Sequence, residues 1–248
     1  MSIPGEVATA AFTWRSASIT SQGNVRNHNE DAVLELPAAG VWAVADGMGG
    51  HNAGDVASRM IVEALVGVTR RERPSELLND VEDRICAVNE RLYRTSLTGE
   101  AGMSGSTVAV LLAFGNYSLS VWAGDSRIYR CRAGVLSCIT RDHSEVQAMM
   151  DEGLDAEAAS RQAAQNVITR AVGGAQDLYL DLELRELKHR DRYLLCSDGL
   201  YKELADDRIQ AHLAANDPEG ASRALLKEAL AGVCNDNVSA VVVQFSQT

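Results

Sequence analysis

The sequence predicts an α+β protein in which two mainly antiparallel sheets pack face to face with helix pairs outside them, an α/β/β/α sandwich. Three observations carry this. Short apolar runs of strand type come in blocks, joined by Gly, Asn, Asp and Pro turn signals. Stripes of helical period come in pairs, at 56–95 and 206–233. The strand–helix–strand alternation of a parallel sheet does not recur, and only helices outside two stacked sheets bury every stripe.

In chain order, residues 1–15 read as a leader and 16–248 as one domain. The first strand is expected at 16–21, followed by a polar loop, GNVRNHNED at 23–31, and strands at 32–36 and 41–45. Met60, Ile61, Ala64, Leu65 and Val68 mark a helix with Asp55 in its first turn. Leu78, Val81, Ile85, Val88 and Leu92 mark a second, over 75–95, opened by Pro74 and Ser75. Runs at 106–114, 117–123, 127–131 and 135–139, joined by Gly115-Asn116, Gly124-Asp125 and Ala133-Gly134, predict an antiparallel meander. Residues 144–165, rich in Ala, Glu, Asp and Met, read as two short helices forming a mobile insertion or lid over the sheet. Strands return at 178–187, where Leu180, Leu182 and Leu184 alternate with charged residues, and at 192–197. Helices at 206–215 and 219–233 lead to a last strand at 238–245.

Composition narrows the function. A chain of 248 residues with 46% hydrophobic and 5% aromatic content fills a largely aliphatic core. The net charge of −11, without a basic run, argues against nucleic-acid or anionic-membrane partners. The five cysteines form no CxxC pair, which suits a reduced, cytoplasmic compartment better than a zinc knuckle or a disulfide framework. The first residues lack a basic region and a long apolar run, so a soluble protein is expected, with a monomer as the default.

The chemistry centres on AVADGMGGHNAG at 43–54. Asp46 closes an apolar strand-like run and is followed by glycines at 47, 49, 50 and 54. An aspartate there can hold a cation while unencumbered glycine backbone lends carbonyl oxygens. An ordinary Gly-rich turn is the alternative for this stretch alone. The pattern repeats, however: Asp198 follows a strand and precedes Gly199, Asp236 precedes the last strand, Asp125 lies between two strands, and Glu30-Asp31 close the first polar loop. Strand ends of adjoining sheets converge on one rim, and oxygen donors so gathered suit Mg²⁺ or Mn²⁺.

Together GNVRNHNED, VADGMGGHNAG, SGSTVAVLL, GDSRIYR, TRDHS, NVITRAVG, LLCSDGL and DNVS, in this order, resemble the metal-dependent protein phosphatases of the PP2C (PPM) family in their compact bacterial form, from about residue 16 to 245. The resemblance implies hydrolysis of phosphoserine and phosphothreonine in proteins by water held between two Mn²⁺ or Mg²⁺ ions. It implies that Asp46 bridges both ions, that the Gly47 carbonyl completes the second site, and that Asp198 and Asp236 are further ligands of the first. Glu30 and Asp31 match acids that act mostly through water, Arg26 the arginine that grips phosphate, and Asp125 an acid associated with a third, weaker ion. Residues 144–165 match the variable flap. The partners implied are phosphorylated proteins and a cognate Ser/Thr kinase, in some relatives alongside type VI secretion.

One position departs from the eukaryotic members: Met48 stands where they carry a histidine proposed as the general acid, so that acid is unassigned. His51 reads either as a proton donor or as a structural hydrogen-bonding group. His28, His143, His189 and His212 read as structural. Cys196 is either an oxidation-sensitive neighbour of Asp198 or an inert core thiol. Two rival functions are weaker. A serine esterase built on Gly124-Asp125-Ser126 lacks the Asp-x-x-His it needs, and Gly102-Met103-Ser104-Gly105 is not a complete nucleophile elbow because 106 is Ser. A catalytically inactive phosphoprotein-binding module would be marked by a lost metal ligand, yet Asp46, Asp198 and Asp236 are all present.

Overall fold

The computed structural model describes residues 12–49, 53–98, 104–164 and 167–248. Its elements are β1 (Phe12–Ser21), β2 (Asp31–Leu36), β3 (Val41–Gly49), α1 (Ala53–Val66), α2 (Pro74–Thr98), β4 (Ser104–Ser106), β5 (Val108–Phe114), β6 (Tyr117–Ala123), β7 (Arg127–Arg132), β8 (Val135–Cys138), α3 (Glu145–Asp151), α4 (Ala156–Gln162), β9 (Asp181–Glu186), β10 (Arg192–Cys196), α5 (Asp198–Tyr201), α6 (Asp206–Ala215), α7 (Pro218–Ala229) and β11 (Val238–Gln247). One sheet runs β1-β11-β10-β7-β8 and the other β2-β3-β5-β6-β9, with β4 added to the far end of β3. The ladders within both sheets are antiparallel.

The alternation of side chains along each strand sorts the apolar residues into three layers. In β3, Trp42 and Val44 face the other sheet, where they meet Tyr193, Leu195, Val241, Val243 and Phe245. Trp42 packs edge-on against Trp14 at 5.7 Å and Phe245 at 6.1 Å. Val41, Ala43 and Ala45 face outward, onto Ile61 and Leu65 of α1 and Val81 and Ile85 of α2. On the opposite sheet Leu194, Ala240 and Val242 face α6 and α7 through Ile209, Leu213, Ala221 and Leu225. Because β3 and β11 are covered on both faces, their centres read in sequence as continuous apolar runs, 41–45 and 240–243. The α/β/β/α sandwich expected from the sequence is thus the observed fold.

Several boundaries differ, each for a physical reason. β1 begins at Phe12 rather than 16, because β11 pairs with it from Phe12↔Gln247 to Ser21↔Val238, so 12–15 are strand and not leader. The remaining leader, 1–11, lies outside the described residues. β3 runs on through Asp46 to Gly49, since β4 supplies a new partner there (Gly47↔Ser106, Gly49↔Ser104). The expected meander breaks at Gly124-Asp125: β6 belongs to one sheet and β7 to the other, so this turn crosses between layers. In α2 the fully buried residue of the first turns is Leu77, with Leu78 only partly covered. α7 starts at Pro218, capped by Asp217, whose carboxylate accepts from Gly220 N at 2.9 Å. α5 was not legible as a helix.

The alternation in β9 turns two of its leucines outward. Leu182 and Leu184 are 44% and 63% exposed, whereas Asp181 and Arg185 are half-buried. β9 is an edge strand, and α1 packs chiefly over β2, β3 and β4 and α2 over β4. The buried side is satisfied by pairing, since Asp181 accepts from Arg170 at 2.5 Å and lies 3.2 Å from His143 Nε2. Two substitutions separate these readings. Trp42→Ala, at the centre of the intersheet core, should cost about 3–5 kcal/mol in urea unfolding, while Leu184→Ser should change stability by no more than about 0.5 kcal/mol.

Candidate metal and phosphate site

Register places the chemistry. In one sheet Asp31 stands opposite Asp46, and Val108, just beyond Thr107, pairs with Ala123 at the end of β6. In the other, Cys196 at the end of β10 pairs with Arg127 at the start of β7 and Ala240 near the start of β11. Asp198, Asp125 and Asp236 therefore leave one sheet at the same rim where Asp31 and Asp46 leave the other. Of these acids, Asp46 lies inside its strand rather than at its end, and Asp198 opens α5.

The rim is stitched across the two sheets by hydroxyls and one amide. Ser197 Oγ donates to Asp31 Oδ2 at 2.7 Å and accepts from Ser239 N at 3.0 Å. Thr107 Oγ1 accepts from Asp46 N at 3.1 Å and pairs with Ser126 Oγ at 2.7 Å. Asn237 ties down the loop that carries Arg26 and Glu30: its side chain donates to Gln22 O and His28 O and accepts from Glu30 N at 2.8 Å. Arg26 Nη2 donates to Asp236 Oδ2 at 2.9 Å, and this pairing holds its guanidinium above its ordinary pKa.

Two glycines are required by close approach. A Cβ on Gly47 would stand 2.0 Å from Gly54 O, and one on Gly199 would stand 2.1 Å from Asn237 O. The first lets the chain at Gly54 pass directly against the backbone beside Asp46, with Gly47 N bound to Glu30 O at 3.1 Å. The second lets α5 turn tightly against the strand that follows Asp236.

Electrostatically the rim is over-supplied with carboxylate. Burial first, then neighbouring Asp198 and Asp236, push Asp31 up to about 7 despite its bond from Ser197. Burial and Asp198 push Asp125 up to about 7, opposed by Lys202. Asp46 is raised well above the ordinary carboxylate value, first by removal from water and then by Asp31, Asp198, Asp125 and Asp236. Asp31 Oδ1, Asp125 Oδ1 and Asp198 Oδ1 are buried without a hydrogen-bond partner. Among the described residues, no three His, Cys, Asp or Glu side chains close by themselves into an ion-holding group. Arg26 and Lys202 engage Asp236 and Asp198 instead, the latter at 2.5 Å. Buried anionic oxygens with no donor are the groups that a hard divalent cation with retained waters satisfies.

The structure thus gathers Asp31, Asp46, Asp125, Asp198 and Asp236, with Glu30, Gly47 and Arg26 on adjoining backbone. Ser197, Asn237, Thr107 and Lys202 were missed. Three lie beside recognised residues, Ser197 and Asn237 next to Asp198 and Asp236, and Lys202 four residues after Asp198 on one helical face. His51, Gly50, Gly102 and Met103 lie outside the described residues. His143 is built into the frame: its Nδ1 accepts from Gly124 N at 3.1 Å and its ring stacks on Trp122. Ser126 is buried and hydrogen-bonded to Thr107, which removes it as an exposed nucleophile. Burial pushes the Cys196 thiol well up, as for an inert core cysteine.

Comparison with known proteins agrees with this geometry. A family model for protein phosphatase 2C matches residues 20–231. The Ser/Thr protein phosphatase PstP of Mycobacterium tuberculosis is 35% identical over 238 residues, covering 95% of this chain but 46% of PstP, so the chain spans about half the length of that relative. The Ser/Thr phosphatase stp of Listeria monocytogenes is 35% identical over 191 residues, 73% of this chain and 75% of its own. Among solved structures, PppA, a key regulatory component of T6SS in Pseudomonas aeruginosa, superimposes with a TM-score of 0.88 at 39% identity, covering 95% of this chain and 99% of PppA. The PstP catalytic domain in complex with two manganese ions gives 0.85 at 34% identity, covering 95% and 100%. On the motifs, the layered fold and these matches, the chain belongs to the protein phosphatase 2C family.

Proposed function

We propose that this chain is a metal-dependent phosphatase that hydrolyses phosphoserine and phosphothreonine in proteins. The observation that carries the reading is the crowd of buried, unpartnered carboxylate oxygens on Asp31, Asp125 and Asp198 around Asp46, in a family whose members bind metal ions. Asp46, Asp198, Asp236 and the Gly47 carbonyl would hold two ions, Mn²⁺ or Mg²⁺, with Glu30 and Asp31 acting through water. The chemistry such ions supply when bound is activation of water near neutral pH and stabilisation of charge on phosphoryl oxygens.

The chain's own residues do the rest. Arg26, 52% exposed at the rim and held beside Asp236, offers a planar fork of donors to the phosphate. The nearby hydroxyls of Ser106, Ser126 and Ser197 are hydrogen-bonded inward, to Asp46 O, Thr107 and Asp31. None of these three serines is free to act as a covalent nucleophile, which suits direct attack by water. Asn237 and Ser197 keep the two sheets' acids in register. The proposed domain runs from β1 to β11, with 144–165 as a flap: α3 buries no residue and α4 only Ala159, so these helices lie at the surface, over the cavity that Asp125 and Lys202 line. The partners proposed are phosphorylated proteins and a Ser/Thr kinase whose action is reversed, with the chain as a cytoplasmic monomer. The likeness to PppA makes secretion-system regulation the first setting in which to seek that kinase.

Three outcomes test this. Purified protein should dephosphorylate a phosphothreonine peptide with Mn²⁺ or Mg²⁺ and stop in EDTA, and Asp46→Asn or Asp198→Asn should lower kcat by about 10³-fold or more, equivalent to about 4 kcal/mol. Wild type inert with every divalent cation, yet binding the phosphopeptide, would point to a binding module instead. Arg26→Ala should lower kcat/KM by about tenfold or more, chiefly through KM, in steady-state kinetics.

The third outcome concerns pH. Asp31 and Asp125, raised to about 7, bind protons more tightly folded than unfolded, so they favour folding at low pH and lose that contribution as pH rises towards 7. In chelator, the melting temperature should fall by several degrees between about pH 5 and about pH 8, and saturating Mn²⁺ should remove the fall. A flat profile in chelator would contradict the assigned electrostatics.

A further inference from the structure

Lys202 is the cation that the sequence did not announce. It caps the short helix α5, its backbone N–H bonded to Asp198 O and Leu200 O, which brings its side chain over the first residue of the same turn. Lys202 Nζ lies 2.5 Å from Asp198 Oδ2. The turn is locked against the neighbouring loop: Tyr201 donates from its hydroxyl to Asp125 O at 3.0 Å, and the Arg127 guanidinium lies 3.8 Å from the centre of the Tyr201 ring. Arg127 is itself held by both carboxylate oxygens of Asp142, Nη2 to Oδ2 at 2.8 Å and Nε to Oδ1 at 2.9 Å. Lys202 and Asp125 consequently line one cavity of about 310 Å³ beneath α3 and α4, bounded also by Gln147, Met150 and Ser160.

The acids here retain unanswered charge. Asp125 and Asp198 are 6% and 8% exposed, and each has one buried oxygen without a partner. Burial opposes the Lys202 ammonium, yet the charges of Asp198, Asp125 and Asp236 keep it above its ordinary range. A cation is therefore already fixed by covalent attachment at the place where Asp125 and Asp198 would otherwise recruit one from solution.

We propose that Lys202 is a built-in counter-ion which takes the place of a third divalent cation beside Asp125 and Asp198, so that this chain binds two ions where the carboxylates alone would draw three. The inference rests on the metal-centre reading above. An ammonium supplies one positive charge with no dissociation, and it excludes a dication from the same carboxylates by repulsion and by filling space. Lys202 acts on the centre through Asp198 and Asp125, as a positioning residue. It also lowers the affinity of the first ion, because Asp198 must exchange its lysine for that ion.

Metal-binding stoichiometry tests this independently of turnover. Metal-stripped full-length protein, checked for folding by circular dichroism, would be titrated with Mn²⁺ alone by isothermal calorimetry and by the electron paramagnetic resonance signal of free Mn²⁺. Wild type and Lys202→Arg should each take two ions. Lys202→Met should take a third, weaker one and bind the first several-fold tighter. Adding Asp125→Asn to Lys202→Met should remove the third ion again. Three ions in wild type, or two in Lys202→Met, overturn the inference while leaving the metal centre intact. No ion bound by any of the four proteins overturns the metal-centre reading, and the inference with it.

Discussion

The structure is organised around electrostatic repulsion that the polypeptide does not relieve by itself. Asp31, Asp46, Asp125 and Asp198 meet at one rim between two sheets, buried or half-buried. A like-charged pair a few ångströms apart near a protein surface repels by about 4 kcal/mol. Burial adds to that for every carboxylate kept ionised. Only a well-made frame holds such groups together, and much of the remaining architecture supplies it. The intersheet core of Trp14, Trp42, Tyr193 and Phe245 fixes the spacing of the layers. The Ser197–Asp31 bond and the Asn237 amide join loops from opposite sheets at the rim.

Two internal cations share the load, and they differ in kind. Arg26 is exposed and bonded to Asp236 through one nitrogen, an arrangement easily traded for a phosphate oxygen. Lys202 sits under the α3–α4 segment, on a turn braced by Tyr201, Arg127 and Asp142. One is exposed and singly bonded, and the other is anchored. The same bracing connects the floor of the cavity under α3 and α4 to Asp125, which gives that segment a physical route to the charge balance of the rim.

Much of this was legible in the sequence, because the fold's signals are local. Apolar runs and turn residues gave the two sheets, and paired helical stripes gave the outer layers. Repeated aspartates beside glycine marked the rim before any geometry was known. What was hidden depends on partners distant in sequence. Nothing local to 178–187 says that β9 lies at a sheet edge, or which side of its alternation is covered. Nothing local to Gly124-Asp125 distinguishes a hairpin from a crossing between sheets. The continuation of β3 beyond Asp46 needs β4, more than fifty residues later. Asn237 and Ser197 were overlooked because their partners, Glu30 and Asp31, lie at separations of 207 and 166 residues. Lys202 was the exception, since its i to i+4 relation to Asp198 is visible once α5 is known to be helical.

The central claim is that these carboxylates are a divalent metal centre and not merely a strained acidic rim. Anomalous diffraction at the manganese edge, from crystals of the wild-type protein grown with Mn²⁺, addresses it most directly. The account predicts two strong peaks flanking the Asp46 carboxylate, one of them within bonding distance of Asp198 and Asp236 and the other of the Gly47 carbonyl. Peaks absent from this rim at saturating Mn²⁺, or found only elsewhere on the surface, would contradict it.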